Sequence, residues 1–187
     1  MKSLHLTRPR AIMMVGVPGS GKSFFASQFA RDFHVPYIDS EVITKYGADH
    51  AASSHLIALL LTEITKTGQT FILEGNADTK TLRTEFAKFA KDRGYDPLFI
   101  WIQADRTTSR QRSVKKGMSQ DSYLAILHKF EAPGEAEKAL VISGRHTYAS
   151  QARVVLNHIG NDNRPSAPTH PERPSSPVVP VRNSTAK

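Results

Sequence analysis

The residues of this chain with the sharpest chemical meaning lie together: Gly16, Val17, Pro18, Gly19, Ser20, Gly21, Lys22 and Ser23. They satisfy the spacing G-x-x-x-x-G-K-[ST], in which backbone N–H groups cradle the phosphates of a nucleotide, a lysine reaches the β and γ oxygens, and a hydroxyl ligates Mg²⁺. Each residue type has a physical reason to be there. Glycines let the main chain approach an anion closely, Lys22 brings a positive charge, and Ser23 offers a hard oxygen of the kind Mg²⁺ takes. The spacing predicts a site for a nucleoside triphosphate, with ATP and Mg²⁺ as ligands. No Asn-Lys-x-Asp run that would read guanine occurs.

Two acids and two arginines stand where such a site needs them. Asp39 ends the short apolar run Val35 to Asp39, and Glu74 ends the run Thr70 to Glu74. Both therefore sit at the carboxyl ends of predicted strands, the edge at which open α/β sheets bind ligands. Asp39 is expected to face the γ-phosphate, or to cap the helix that begins at Ser40, and a carboxylate can do both. Glu74 occupies the place of the acid that supports Mg²⁺ through water. Further on, Asp105 to Gly117 holds five bases against one acid. That run reads either as a solvated helix face or as a lid whose guanidiniums clamp a triphosphate, with Arg110 and Arg112 as candidates.

These side chains need elements to hold them. Ala11 to Val15 is a continuous apolar run that predicts a buried strand, and Phe25 and Phe29 give the following segment helical spacing. A helix over Ala51 to Lys66 carries Leu56, Ile57, Leu60, Leu61 and Ile64 as an expected core stripe, ended by Gly68. A second, over Thr79 to Arg93, carries Leu82, Phe86, Phe89 and Ala90. Leu98 to Ile102 and Ala139 to Ser143 read as the fourth and fifth strands. A helix over Ser119 to Phe130 lies between them, and a last helix runs through Ile159 after the Gly144-Arg145 turn. Five strands alternating with helices predict an α/β fold: a parallel sheet covered by helices on both faces, a three-layer sandwich.

Composition narrows the classes. The 187 residues include no cysteine, which excludes disulfides and thiolate metal sites, and His50 and His55 do not have zinc-ligand spacing. The longest apolar run, Leu56 to Leu61, is too short to span a membrane, and the first ten residues lack the apolar stretch of a secretory leader, so a cytoplasmic protein is expected. The net charge of +8 is concentrated at the ends and in the basic run. Prolines at 165, 168, 171, 174, 177 and 180 recur every third residue. That is the period of a polyproline II helix, so residues 161–187 are expected to form a disordered, semi-rigid tail or a ligand for a proline-binding domain. The folded domain is expected over residues 1–160.

On the strength of the phosphate loop, Asp39, the interval from Glu74 to Arg83, Arg110 and Phe130-Glu131-x-Pro133, the chain from about Ala11 to Ile159 resembles the small P-loop kinases of the polynucleotide-kinase-like group. That group includes zeta-type toxins. The resemblance implies a P-loop NTPase sheet of order 2-3-1-4-5 with a short basic lid, and Asp39 as general base for an acceptor hydroxyl. It also implies Arg110 and Arg112 as lid arginines, and an adenine held near Gly144 and Arg145. It makes the 5′-hydroxyl of a nucleic acid one expected acceptor and a small-molecule hydroxyl another. The polynucleotide enzymes carry Asp-x-x-Arg, whose arginine grips the acceptor phosphate; here the run is Asp39-Ser40-Glu41-Val42, leaving Arg83, Lys45 or the basic N-terminus to make that contact. Beside a kinase, a hydrolysing ATPase or switch and a nucleotide-gated binding module remain open.

Overall fold

The protein is described here by a computed structural model, in which residues 8–162 are placed. The strands are β1 (Arg10–Val15), β2 (Tyr37–Asp39), β3 (Phe71–Glu74), β4 (Asp96–Gln103) and β5 (Leu140–Ser143). They form one sheet in the order β2-β3-β1-β4-β5, with every neighbouring pair parallel. The helices are α1 (Lys22–Phe33), α2 (Ser40–Thr44), α3 (His50–Lys66), α4 (Lys80–Asp92), α5 (Arg106–Lys115), α6 (Gln120–Lys129) and α7 (Tyr148–Asp162). The expected α/β fold and strand order are therefore observed.

Parallel strands buried on both faces must be apolar throughout, and β1 is buried at all six positions. Its side chains alternate. Ile12 and Met14 join Ile72, Ile100 and Ile142 beneath Phe25 and Phe29 of α1 and Val155 and Ile159 of α7. Ala11, Met13 and Val15 face the other way, with Phe71, Leu73 and Phe99, toward Ile57 and Leu61 of α3 and Phe86 and Ala90 of α4. Because β1 lies at the middle of the sheet, the loop that follows it emerges over the centre of the carboxyl-terminal edge.

Two expected core stripes are narrower than predicted. In α3 only the line Ser53, Ile57 and Leu61 is buried, with Ile64 packed beside it, while Leu56 and Leu60 are 39% and 40% exposed. A residue one position away on a helix is turned by about 100°, so 56 and 60 miss the sheet that 57 and 61 meet. In α4 the inward line is Arg83, Phe86 and Ala90, and Leu82 lies toward solvent.

The basic run folds as α5, capped by Asp105, whose carboxylate accepts the Thr108 N–H at 2.8 Å. α7 extends to Asp162, three residues past its expected end. The proline-rich tail lies outside the described residues. Among the described residues, no helix is long and apolar enough to cross a membrane.

Candidate nucleotide and phosphoryl-transfer site

The loop from Gly16 to Gly21 joins β1 to α1 with its glycines in conformations that other residues rarely take. Gly19 has φ +75°, and a Cβ there would collide with the Ser109 carbonyl and the Ser113 hydroxyl of α5. Glycine at 19 thus lets the basic helix pack directly on the phosphate loop. The loop is preformed: Ser20 N–H donates to the Val17 carbonyl at 3.2 Å, and the Lys22 ammonium donates to the carbonyls of Gly16 at 2.7 Å and Val17 at 3.2 Å. Burial lowers the pKa of that ammonium, and the carboxylates of Glu74, Glu41 and Asp78 oppose the shift. The Ser20 hydroxyl is fully buried and has no hydrogen-bond partner among the described residues.

Glu74, 4% exposed, ends β3 beside this loop. Its Oε1 accepts the Ser23 hydroxyl at 2.8 Å, and its Oε2 accepts the Tyr37 hydroxyl at 2.5 Å. Ser23 and Glu74 are thus the hydroxyl and acid expected at a Mg²⁺ site, and both are hard oxygen donors. Among the described residues, no cluster of three or more His, Asp or Glu side chains could cage a metal. That donor set suits an ion held only in part by protein and otherwise by water and substrate phosphate, the usual state of Mg²⁺.

Asp39 pairs in register with Glu74 across β2 and β3. Its Oδ1 accepts the N–H groups of Glu41 at 2.9 Å and Val42 at 3.3 Å, so the helix cap expected of it is present. Its Oδ2 lies 3.4 Å from the Tyr37 hydroxyl. Gly75, at φ +110°, leaves the space in which the Ser40 hydroxyl sits. The start of α2 therefore rests on the turn after Glu74, and Asp39 and Glu41 stay at the sheet edge.

On the opposite side, Gly144 backs onto the Ser20 carbonyl so closely that a Cβ would overlap it, and its N–H donates to the Gln103 carbonyl at 2.7 Å. Arg112 reaches from α5 to the Gly144 carbonyl at 3.1 Å, while Arg110 is exposed. A cleft of about 590 Å³ opens between these elements, lined in part by Val17, Gln103, Arg106, Ser143 and Arg145. Its volume is within the range of small-ligand pockets.

The structure removes Arg83 from the acceptor side. Its side chain is fully buried, with Nε donating to Glu137 Oε2 at 2.6 Å and Nη2 to Oε1 at 3.0 Å. Nη1 donates to the carbonyls of Ala77 at 2.9 Å and Glu131 at 2.8 Å. Arg83 is a clasp between the turn after β3 and the segment before β5, because a buried guanidinium must satisfy its fork of donors. Arg83→Met is expected to destabilise the fold by about 2–3 kcal/mol by taking the guanidinium from a largely enclosed Glu137 carboxylate, which then keeps only the bond from the Gly134 N–H, and adding Glu137→Leu should restore part of the loss. Urea unfolding of both variants checks this. The Arg83 bond holds the Glu137 carboxyl below its ordinary range. Its stabilisation is complete above the unfolded value of about 4.3 and is lost as pH falls through the lower folded value.

Tyr37 escaped the sequence reading, although its signal was present: two residues before Asp39 on a strand, it shares a face with that acid. Glu41 and Asp78 reach the Lys22 ammonium electrostatically because α2 and the turn after β3 converge on the loop. No spacing in the sequence announces that convergence.

A parallel sheet with a glycine-rich phosphate loop after its central strand, a lysine in that loop and a Ser–acid pair beside it defines a P-loop nucleotide-binding domain. The family model for the AAA domain matches residues 12–133, about two thirds of the chain, and the chain belongs to that family. No curated protein matches it in sequence. Among solved structures, it is similar to a gluconokinase from Sinorhizobium meliloti at 15% identity and TM-score 0.62, over 83% of this chain and 94% of that one. It is also similar to the Mycobacterium tuberculosis APS kinase CysC in complex with AMPPNP and APS, at 16% identity and TM-score 0.61, over 82% and 98%. A third is Chaetomium thermophilum Kti12 in complex with ADP-AlF3, at 15% identity and TM-score 0.65, over 83% and 100%. At these identities the likeness is one of fold.

Proposed function

We propose that this protein is an ATP-dependent phosphotransferase that moves the γ-phosphoryl group to a hydroxyl, and that the acceptor is a small molecule. The observation that carries the reading is the convergence on one sheet edge of Lys22, the Ser23–Glu74 pair and a carboxylate at Asp39 that retains an oxygen outside its cap bonds. Phosphoryl transfer needs positioned positive charge on the phosphates and a group that takes the acceptor's proton. The site has both.

In this reading the loop N–H groups and Lys22 hold the phosphates, and Lys22 exchanges its bonds to the Gly16 and Val17 carbonyls for phosphate oxygens. Ser23 and Glu74 would hold Mg²⁺, which supplies neutralisation of phosphate charge when bound. Arg110 and Arg112 on α5 close over the phosphates, and the base lies toward Gly144 and Arg145. Asp39 receives the proton of the attacking hydroxyl, with Glu41 as the competing acid.

Two observations favour a small acceptor. Arg83, one of the three alternative grips for an acceptor phosphate beside Lys45 and the basic N-terminus, is consumed by Glu137, and gluconokinase and APS kinase, two proteins of this fold, are named for small-molecule acceptors. The exposed bases of α5 favour a second reading, the 5′-hydroxyl of a nucleic acid. Incubation with γ-labelled ATP and Mg²⁺ against sugars, nucleosides, 5′-hydroxyl DNA and RNA, and transfer RNA separates them. Label is expected on a sugar or nucleoside. Label only on oligonucleotides reverses the choice of acceptor, and phosphate release with no labelled acceptor replaces the kinase by an ATPase.

A further inference from the structure

We propose that Tyr37 is a positioning residue of this site: its phenol hydroxyl fixes the Glu74 carboxylate on the side away from Ser23 and ties it to Asp39. The inference rests on the phosphoryl-transfer reading. Four side chains form one continuous polar line. Ser23 Oγ donates to Glu74 Oε1 at 2.8 Å, and Tyr37 Oη lies 2.5 Å from Glu74 Oε2 and 3.4 Å from Asp39 Oδ2. Asp39 Oδ1 then accepts from the first turn of α2. The line runs from the first turn of α1 to the first turn of α2, with Tyr37 joining Glu74 to Asp39.

The geometry gives that hydroxyl a purpose beyond filling space. Its ring packs against the core cluster beneath α1, so the packing contribution belongs to the ring and the O–H is the part that reaches the site. A separation of 2.5 Å is that of a charge-assisted O–H···O⁻ bond, stronger than a bond between neutral groups. The phenol O–H is the donor in this bond, because an ionised carboxylate can only accept.

The consequence concerns Ser23. Were Ser23 to turn its oxygen to Mg²⁺, its bond to Glu74 would be given up, and of the two side-chain hydrogen bonds that Glu74 accepts here the one from Tyr37 would remain to orient it toward the ion. With that bond the carboxylate stays aimed at the loop. Without it the side chain gains rotamer freedom beside Asp39, a second carboxylate at the neighbouring register position. Groups that orient a metal site from behind commonly change metal affinity or activity by about 10–100-fold when removed.

Tyr37→Phe keeps the ring and deletes the hydroxyl. Calorimetric titration with ADP, with and without Mg²⁺, measures how far the ion tightens the nucleotide, and steady-state kinetics with ATP measures turnover. The variant is expected to bind ADP without Mg²⁺ within about twofold of wild type, and to lose about tenfold of the gain that Mg²⁺ confers. With Mg²⁺ present, kcat/KM for ATP should fall about tenfold or more, the weaker hold on the ion and its nucleotide appearing in KM. In a Glu74→Gln background, deletion of the Tyr37 hydroxyl should change the Mg²⁺ gain far less. An unchanged Mg²⁺ gain in Tyr37→Phe overturns the proposal. So does a variant that loses its melting transition and all nucleotide binding together, because that marks a purely structural tyrosine. A reduced Mg²⁺ gain in a protein that labels no acceptor sinks the transfer reading and leaves the role of Tyr37 standing.

Discussion

Lys22→Ala is expected to lower turnover by about 10²-fold or more, with the fold intact by circular dichroism. The reason lies in where the charge acts. In the structure the ammonium rests on the Gly16 and Val17 carbonyls, at the mouth of the loop where β and γ oxygens would lie. Charge on those oxygens is redistributed during transfer, so a fixed cation there stabilises the transition state more than the bound nucleotide. Burial lowers the pKa of Lys22, but the surrounding carboxylates favour its charged form, and an anionic nucleotide adds to that preference. The structural loss is confined to the loop, because the side chain's two hydrogen bonds go to the Gly16 and Val17 carbonyls. The measurement is kcat with γ-labelled ATP on whichever acceptor takes label, or on water if none does. Near wild-type turnover in Lys22→Ala would remove the phosphate loop from the mechanism.

Asp39→Asn is expected to reduce the rate by about 10²–10⁴-fold while leaving ATP affinity nearly unchanged. The structure makes this substitution a clean test. Asparagine caps a helix about as well as aspartate, so the bonds from the Glu41 and Val42 N–H groups survive and α2 keeps its start. The basicity of the group is lost, and an NH2 takes the place of the oxygen that lies 3.4 Å from the Tyr37 hydroxyl. Glu41 needs the parallel measurement, because it is exposed in the first turn of α2 and its charge reaches the Lys22 ammonium. A live Asp39→Asn beside a dead Glu41→Gln would move the base two residues along the chain and leave Asp39 as the cap that aims it. ATP affinity, read by titration in both variants, separates loss of the chemical step from loss of the nucleotide.

The phosphate loop was legible because all its parts are local. Eight consecutive residues carry the glycines, the lysine and the hydroxyl, and the strand before and helix after them are set by contiguous apolar residues and by Phe25 and Phe29 at helical spacing. Asp39 and Glu74 were legible for a related reason: an acid directly after an apolar strand is delivered to one known edge of a parallel sheet. Arg83 was misread because its sequence context, an amphipathic helix with Leu82 beside it, says nothing of Glu137, 54 residues away. Leu56 and Leu60 were misread because hydrophobicity marks a broad stripe, whereas a flat sheet contacts only a narrow line on α3.

By itself, then, the sequence determined the elements, the class of sheet and the glycine-rich loop with its lysine and hydroxyl, since each follows from short-range geometry along the chain. Tertiary structure alone decided which charges answer one another. Parallel strands are joined by long crossovers, so neighbours in the site such as Tyr37 and Glu74 are far apart in sequence, and their pairing depends on strand register. The same packing assigned Arg83 to a clasp, because a guanidinium enclosed by three segments must bond to what encloses it.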